Sequence, residues 1–294
     1  MDISNTDIKR GSIMNIDTFK MVIAIVQTGS ISGAAQQLGY AQSNISAKVH
    51  QLESELKTTI FYRTNRGVVL TPDGKKFYKR AIEIVNLTED TIHQLQSPTM
   101  VAGDLHIGTL QSASESYLPP ILVKYHHKFP RVKLAIATGN PLENIHQVLN
   151  YELDGAVVGE NVDESELESI PLTTEELCLV SASPEIPDLD HTPFLVFSPG
   201  CIYREVAEDW LKSLNKTMHH PIEFNYLDGI MASVCAGLGI GIVPKHKAEL
   251  FAKEKLVYMT ELPKEFSSIQ LSFIYRKDYV INRPFSEFVN VLQK

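Results

Sequence analysis

Five polar residues open one predicted helix, Gln42, Ser43, Asn44, Ser46 and Lys48, and their types are those that read or grip nucleic acid. Carboxamides of Gln and Asn pair bidentately with adenine edges, Ser donates or accepts, and a helix N-terminus with a lysine beside it favours phosphate. Arg63 and Arg66 sit at or beside an Asn65-Arg66-Gly67 turn. A guanidinium there meets a phosphate or a minor groove whatever the bases are. Ser30 and Ser32, heading the preceding helix, and Thr71, heading the following one, complete the DNA-facing set.

A second set of residues lies where predicted strands end. Thr109, Gln111, Ser112 and Ser114 follow a strand at 105–110, Thr138 and Asn140 follow one at 132–138, Phe197, Cys201 and Tyr203 follow one at 194–197, and Asp228 opens a helix. Ligands of α/β folds bind at the carboxyl ends of strands. Hydroxyls beside helix N-termini suit a small anion, such as a carboxylate or a sulfur oxyanion. Cys201 stands at a helix start, the setting of an acidified thiolate, although a small cysteine that simply packs is the commoner outcome. The pairs His126-His127 and His219-His220 are adjacent, which points their rings to different sides of a helix and argues against zinc. No nucleophile, base and orienting group stand together, and Gly237-x-Gly239-x-Gly241 precedes a strand instead of opening a helix. Neither a cofactor nor enzyme chemistry is therefore expected.

The elements that carry the first set are legible in the apolar spacing. Ile31, Ala34, Ala35 and Leu38 recur at helical intervals after Ser30, Gly39 ends that helix, and Ile45, Val49, Leu52 and Leu56 form the buried stripe of the next. Helix, tight turn and second helix is the helix-turn-helix pattern, whose second helix enters the major groove; a plain helical hairpin is the inert alternative. Ile16, Phe19, Val22, Ile23 and Val26 give a helix packed beneath the pair. Short strands at 60–63 and 68–70 add a wing. Thr71-Pro72-Asp73 then starts a helix that runs to about Leu95, with Phe77, Ala81, Ile84, Thr88 and Leu95 near heptad spacing. So wide a stripe predicts a dimerisation helix, and a dimer would present two heads to a two-fold DNA site.

Charge divides the chain in the same way. The net charge is −8 over 294 residues, which if uniform would repel phosphate. Between Tyr40 and Arg80, however, 8 basic side chains face 3 acidic ones. A basic module is joined to an acidic one. The three cysteines, Cys178, Cys201 and Cys235, are scattered and odd in number, as in a chain with reduced thiols. With no apolar run of membrane-spanning length and no apolar core in the first residues, a cytoplasmic location with no membrane partner is expected.

The chain resembles a LysR-type transcriptional regulator of bacteria. The resemblance rests on Phe19, the Gly-Ser-x-Ser-x-x-Ala-Ala-x-x-Leu run from Gly29 to Leu38, Gln42-Ser43 with Ser46, Leu52-Glu53 with Leu56, Phe61 with Arg63, and Leu70-Thr71-x-x-Gly74. Looser echoes follow at Ile107-Gly108, Pro130, Leu153 to Ala156, Gly200 to Arg204 and Gly237 to Pro244. It implies an α+β chain: a winged helix-turn-helix with a long linker helix, and a C-terminal two-lobed α/β domain similar to periplasmic binding proteins. It also implies a homotetramer made of two dimers, promoter control by a small-molecule effector, and an effector site that includes Ser112 and residues near Thr138. The family usually carries Gly where this chain has Lys57, a change expected to add a phosphate-facing charge.

The expected divisions are a disordered tail at 1–13, the DNA-binding domain at 14–71, the linker helix at 72–96, a hinge at 97–102 and the effector domain at 103–294. Lobe I would comprise about 103–181 and 275–294, lobe II about 182–274, each with a parallel-rich sheet and the pocket between them; their elements include a helix at 116–129 and strands at 177–181 and 222–226. The partners expected are double-stranded promoter DNA, a small-molecule effector and further copies of the chain. Two other classes compete: a solute-binding protein, which would leave the first hundred residues unexplained, and an α/β enzyme whose helical start merely dimerises. Sequence-preferring binding to promoter DNA separates the first class from both.

Overall fold

Asn15 accepts the Thr18 amide at 3.0 Å and starts α1 (Ile16–Thr28), which buries Phe19, Met21, Val22 and Ile25. Ser30 caps α2 (Ile31–Leu38) through the Gly33 amide, and Gly39 leaves it in the left-handed region, followed by α3 (Gln42–Leu56) with Ile45, Val49 and Leu52 buried. Strands β1 (Phe61–Thr64) and β2 (Gly67–Leu70) pair antiparallel as a wing. The long α4 (Pro72–Gln96) returns its Phe77, Ala81 and Val85 to α1, with the Phe19 and Phe77 rings 5.7 Å apart.

In this computed structural model the described residues are 14–64, 67–96, 100–159, 162, 165–185, 188–219 and 221–293. The chain divides into two units, Met1–Met100 and Val101–Lys294. The expected tail at 1–13, hinge residues 97–99 and Arg66 lie outside the described residues.

The second unit is built on a seven-stranded sheet in the order β10-β6-β11-β5-β3-β4, with β9 also on β6. Its strands are β3 (Ala102–Thr109), β4 (Arg131–Thr138), β5 (Gly155–Val158), β6 (Leu167–Ser181), β9 (Gly241–Pro244), β10 (Tyr258–Glu261) and β11 (Ser268–Arg276). Strands β7 (Leu195–Phe197) and β8 (Ile222–Phe224) form a separate parallel pair. Among the described residues seven α-helices accompany them: α5 (Gln111–Glu115), α6 (Leu118–Lys128), α7 (Pro141–Leu149), α8 (Ile202–Ser213), α9 (Leu227–Cys235), α10 (Lys245–Lys253) and α11 (Arg283–Leu292).

Three expectations need correction. The helix expected at 116–129 is α6, which starts at Leu118 because Pro119 and Pro120 fit its first turn, and a separate short helix, α5, precedes it at Gln111–Glu115. The strand expected at 177–181 starts at Leu167. Pro171 hid the first ten residues of β6, since proline breaks a strand pattern; it sits at a bulge, where the register against β11 shifts between Leu271 and Ser272. The sheets are also less parallel than expected: β3 pairs parallel with β4 and β5, but β6 pairs antiparallel with β9, β10 and β11.

Those antiparallel strands change how the lobes divide. The first part of β6 lies on β11 beside β5, and residues Leu177 to Ser181 of the same strand lie on β9 and β10. β6 thus changes partners at Leu177, ahead of the lobe boundary expected at about 182. β11 reaches β5 of lobe I at Ser272, before the expected return at 275. One apolar cluster runs through both lobes, from Leu105, Ile107 and Phe273 to Phe194, Trp210 and Ile242.

Candidate DNA-reading face and effector cleft

The head of α3 is built for exposure. Ala41 precedes it in an extended conformation and gives no side-chain cap, so first-turn amides stay available to an external acceptor. Gln42, Ser43 and Asn44 are exposed, and Ser46 and Lys48 are half-buried. Lys48 Nζ lies 4.8 Å from the Tyr40 ring centroid, which tethers the lysine over the turn. On β1, exposed Arg63 places Nη2 3.0 Å from His50 Nε2 of α3. Sequence reasoning passed over His50, whose signal is its position four residues after Ser46. Ser30 is the cap of α2, and exposed Ser32 lies 3.4 Å from its hydroxyl.

Thr71 does not belong to this face. It is buried, its hydroxyl donates to the Thr59 carbonyl at 2.6 Å and accepts the Gly74 amide at 2.8 Å, and its own amide bonds Ile60. A Cβ at position 74 would stand 2.0 Å from the Ile60 carbonyl oxygen, so only glycine fits there. The Leu-Thr-x-x-Gly signature thus fastens α4 to Thr59 and Ile60, just ahead of β1. Glu53 is structural in the same sense, accepting the Ile60 and Phe61 amides at 2.8 and 3.2 Å.

In the second unit a cleft of about 480 Å³ opens between the lobes. From the expected set Gln111, Ser112, Thr138, Asn140, Phe197, Cys201 and Tyr203 line it. Thr109, Ser114 and Asp228 do not. Thr109 is fully buried and donates to the Leu110 carbonyl, Ser114 turns back to the Gln111 carbonyl, and Asp228 pairs with Lys247 at 2.7 Å. Phe224, Asn225, Tyr226 and Leu227 also line the cleft and were missed. They lie at the end of β8, and the strand was expected to run two residues further, which moved the predicted site past them.

Several helix starts face this space. Asn140 and Glu143 form a reciprocal capping box on α7. By contrast Cys201 at α8 and Tyr226 at α9 supply no side-chain cap, and the Leu227 amide is taken instead by Gln111 Oε1 at 3.0 Å. Beneath the cleft Ser112 Oγ lies 2.6 Å from Tyr203 Oη, and both hydroxyls reach Glu175 Oε2, at 3.3 and 2.5 Å. All three residues are buried. Burial raises the Glu175 carboxyl above the usual carboxylate range, although the Tyr203 and Ser112 bonds oppose it. Burial, with the Glu175 charge added, pushes the Tyr203 phenol well up. Glu175 gave no signal because it lay in the stretch disguised by Pro171.

None of the three cysteines forms a disulfide, and burial pushes the Cys178 thiol up to about 12. Among the described residues no three His, Cys, Asp or Glu side chains are grouped to hold a metal ion. None of the helices searched there is long and apolar enough to cross a membrane.

A winged helix-turn-helix followed by a two-lobed domain around a cleft of small-molecule size defines a ligand-responsive regulator of transcription. The chain belongs to the LysR family: the helix-turn-helix model of bacterial regulatory proteins of the lysR family matches residues 16–75, and the LysR substrate binding domain matches 99–294. The HTH-type transcriptional regulator YofA of Bacillus velezensis is 37% identical over 286 residues, spanning 95% of this chain and 98% of that one. Among solved structures, ArgP of Mycobacterium tuberculosis has a TM-score of 0.74 at 14% identity, covering 94% of this chain and 95% of that chain. Full-length LysG of Corynebacterium glutamicum, with the effector Arg bound, has a TM-score of 0.69 at 18% identity, covering 95% and 96%. The protein is a LysR-type transcriptional regulator with an effector-binding domain, and its relatives bear the names of regulators of this DNA-binding family, not of enzymes.

Proposed function

We propose that the regulator reads its operator with the exposed head of α3, grips phosphate with Arg63 and Arg66, and senses a small molecule held between the lobes of its C-terminal domain. The observation that carries this reading is the exposure of Gln42, Ser43 and Asn44 on an uncapped first turn. Gln42→Ala should weaken operator binding by about 1–3 kcal/mol while sparing random DNA, as a gel shift against both would measure. Equal loss on the two would move Gln42 to a phosphate role. Arg63→Ala should act on both DNAs alike and make the salt dependence shallower.

The effector fits the chemistry of an oxygen acceptor on an apolar body. The start of α8, which has no side-chain cap, favours the acceptor, as does the Leu227 amide of α9 once Gln111 is displaced, and Leu110, Phe197, Phe224 and Leu227 supply apolar wall. Glu143 is the one charged side chain among the lining residues, which favours a carboxylate of single charge over a multiply charged anion. The dimer would form along α4, where Ile84, Leu87, Ile92 and Leu95 are exposed on one side of the helix. Leu87→Glu should shift the protein to monomer in sedimentation, and an unchanged mass would remove α4 from the interface. Assembly of two such dimers into a homotetramer and residence in the cytoplasm complete the reading, both resting on the family.

A further inference from the structure

Glu175 has one oxygen engaged and one idle. Oε2 receives Tyr203 and Ser112, whereas Oε1 is buried with no hydrogen-bond partner, in a side chain only 5% exposed. The nearest basic group is His246 Nδ1 at 3.9 Å, too far for a hydrogen bond. Burial lowers the His246 pKa, and its Nε2 is buried and unpartnered as well. Buried polar atoms without partners carry a desolvation cost. Both residues line a second cavity, of about 400 Å³, that shares no lining residue with the effector cleft.

The lining of that cavity describes its occupant. Three carboxylates, Glu175, Glu176 and Glu249, stand against Lys245, and Lys245 is spent on Glu176 at 2.7 Å. Glu249 has no cation within 4 Å among the described residues. Thr173 and Thr174 supply hydroxyls, and Tyr117 supplies an aromatic ring. Carboxylates, hydroxyls and an aromatic ring together are the groups that bind an ammonium ion with hydrogens to donate. A metal ion fits less well, since no three metal-ligating side chains are grouped among the described residues.

We propose that this cavity is a second ligand site, for a small primary organic ammonium ion that enters beside His246 and donates to Glu175 Oε1. The His246 side chain is 34% exposed, so its ring can turn outward without disturbing the core. A cation there holds Glu175 ionised, and an ionised Oε2 is the stronger acceptor for Tyr203 and Ser112. Occupation of the second cavity thereby stiffens the floor of the first.

Titration calorimetry on the full-length protein with n-butylammonium chloride tests the site, with tetramethylammonium chloride and sodium chloride at equal ionic strength as controls. Saturable binding of butylammonium alone is expected, at least tenfold weaker in Glu175→Gln. Glu249→Gln lies on an exposed surface and should weaken it too, which keeps the test decisive if the buried variant folds poorly. Absence of saturable butylammonium binding overturns the proposal. So does an equal response to tetramethylammonium, which has no hydrogen to donate, or undiminished binding by both variants.

Discussion

Gln111 Oε1 accepts the amide hydrogen of Leu227 at 3.0 Å, so a side chain of lobe I completes the first turn of a lobe II helix. The contact is extended on both sides. Gln111 Nε2 reaches Glu115 at 3.1 Å, and Lys247 joins Glu115 and Asp228 at 2.7 Å each. This chain of polar contacts ties the two lobes together beside the cleft. An effector that brings its own oxygen to the Leu227 amide must first displace Gln111.

Removing the carboxamide should therefore loosen one known amide. In Gln111→Ala the lost bond is worth about 1 kcal/mol, or roughly fivefold faster hydrogen exchange at Leu227. Exchange at Leu227 that matches the unaltered protein would show that the contact carries no protection.

The buried carboxyl predicts a pH dependence of definite sign. Because burial raises the Glu175 pKa in the folded protein, the folded state holds this proton more tightly than the unfolded chain. Its contribution is full in acid and is lost as the pH rises through the raised value. Glu175→Gln has no proton to lose and keeps an acceptor for Tyr203. It should be more stable than the original protein near neutral pH, by on the order of 1 kcal/mol, and the gap should close in acid. The difference between the two melting curves also cancels His246, whose lowered pKa acts in the opposite direction. A gap that is flat with pH would refute the assignment.

Lys57 ends α3 with φ 53°, in the left-handed region, where its amide and that of Thr58 close the helix against Ser54 and Glu53. That conformation costs a residue with a Cβ roughly 1–2 kcal/mol and costs glycine little. Lys57→Gly should stabilise the DNA-binding unit by about 1 kcal/mol and, if the charge meets phosphate, lower affinity for all DNA alike. An unchanged or lower melting temperature would refute the strain.

Thr71→Val tests the correction made to the DNA-facing set. Loss of the cap on Gly74 should cost about 1–2 kcal/mol of stability, while the folded protein keeps its operator affinity and salt dependence. A selective loss of operator binding at full stability would return Thr71 to the interface.

The helix-turn-helix was legible because its determinants are local. Ser30, Gly39 and the stripe Ile45, Val49 and Leu52 each act within a few residues, so spacing alone predicts the caps and the buried face. The family signature was legible too, but its reasons were not. Glu53 and Gly74 matter through amides and carbonyls of a strand that lies beside them only after folding. The long β6 was hidden for a related reason. Pro171 breaks the alternation on which a strand reading depends, and only pairing with β11 absorbs it as a bulge.

What the sequence determined by itself is therefore the order of the parts: a basic reading head, a long apolar-striped helix and an acidic α/β domain, each encoded in periodicity and charge over short windows. Tertiary structure alone decided which strand-end residues share a cleft and which carboxyl lies beneath it. Ser112 and Tyr203 are 91 residues apart, and Glu175 is 63 from one and 28 from the other. No local rule joins them. Their meeting depends on two strands that pass between the lobes, a long-range pairing that leaves no mark in the spacing of the residues it brings together.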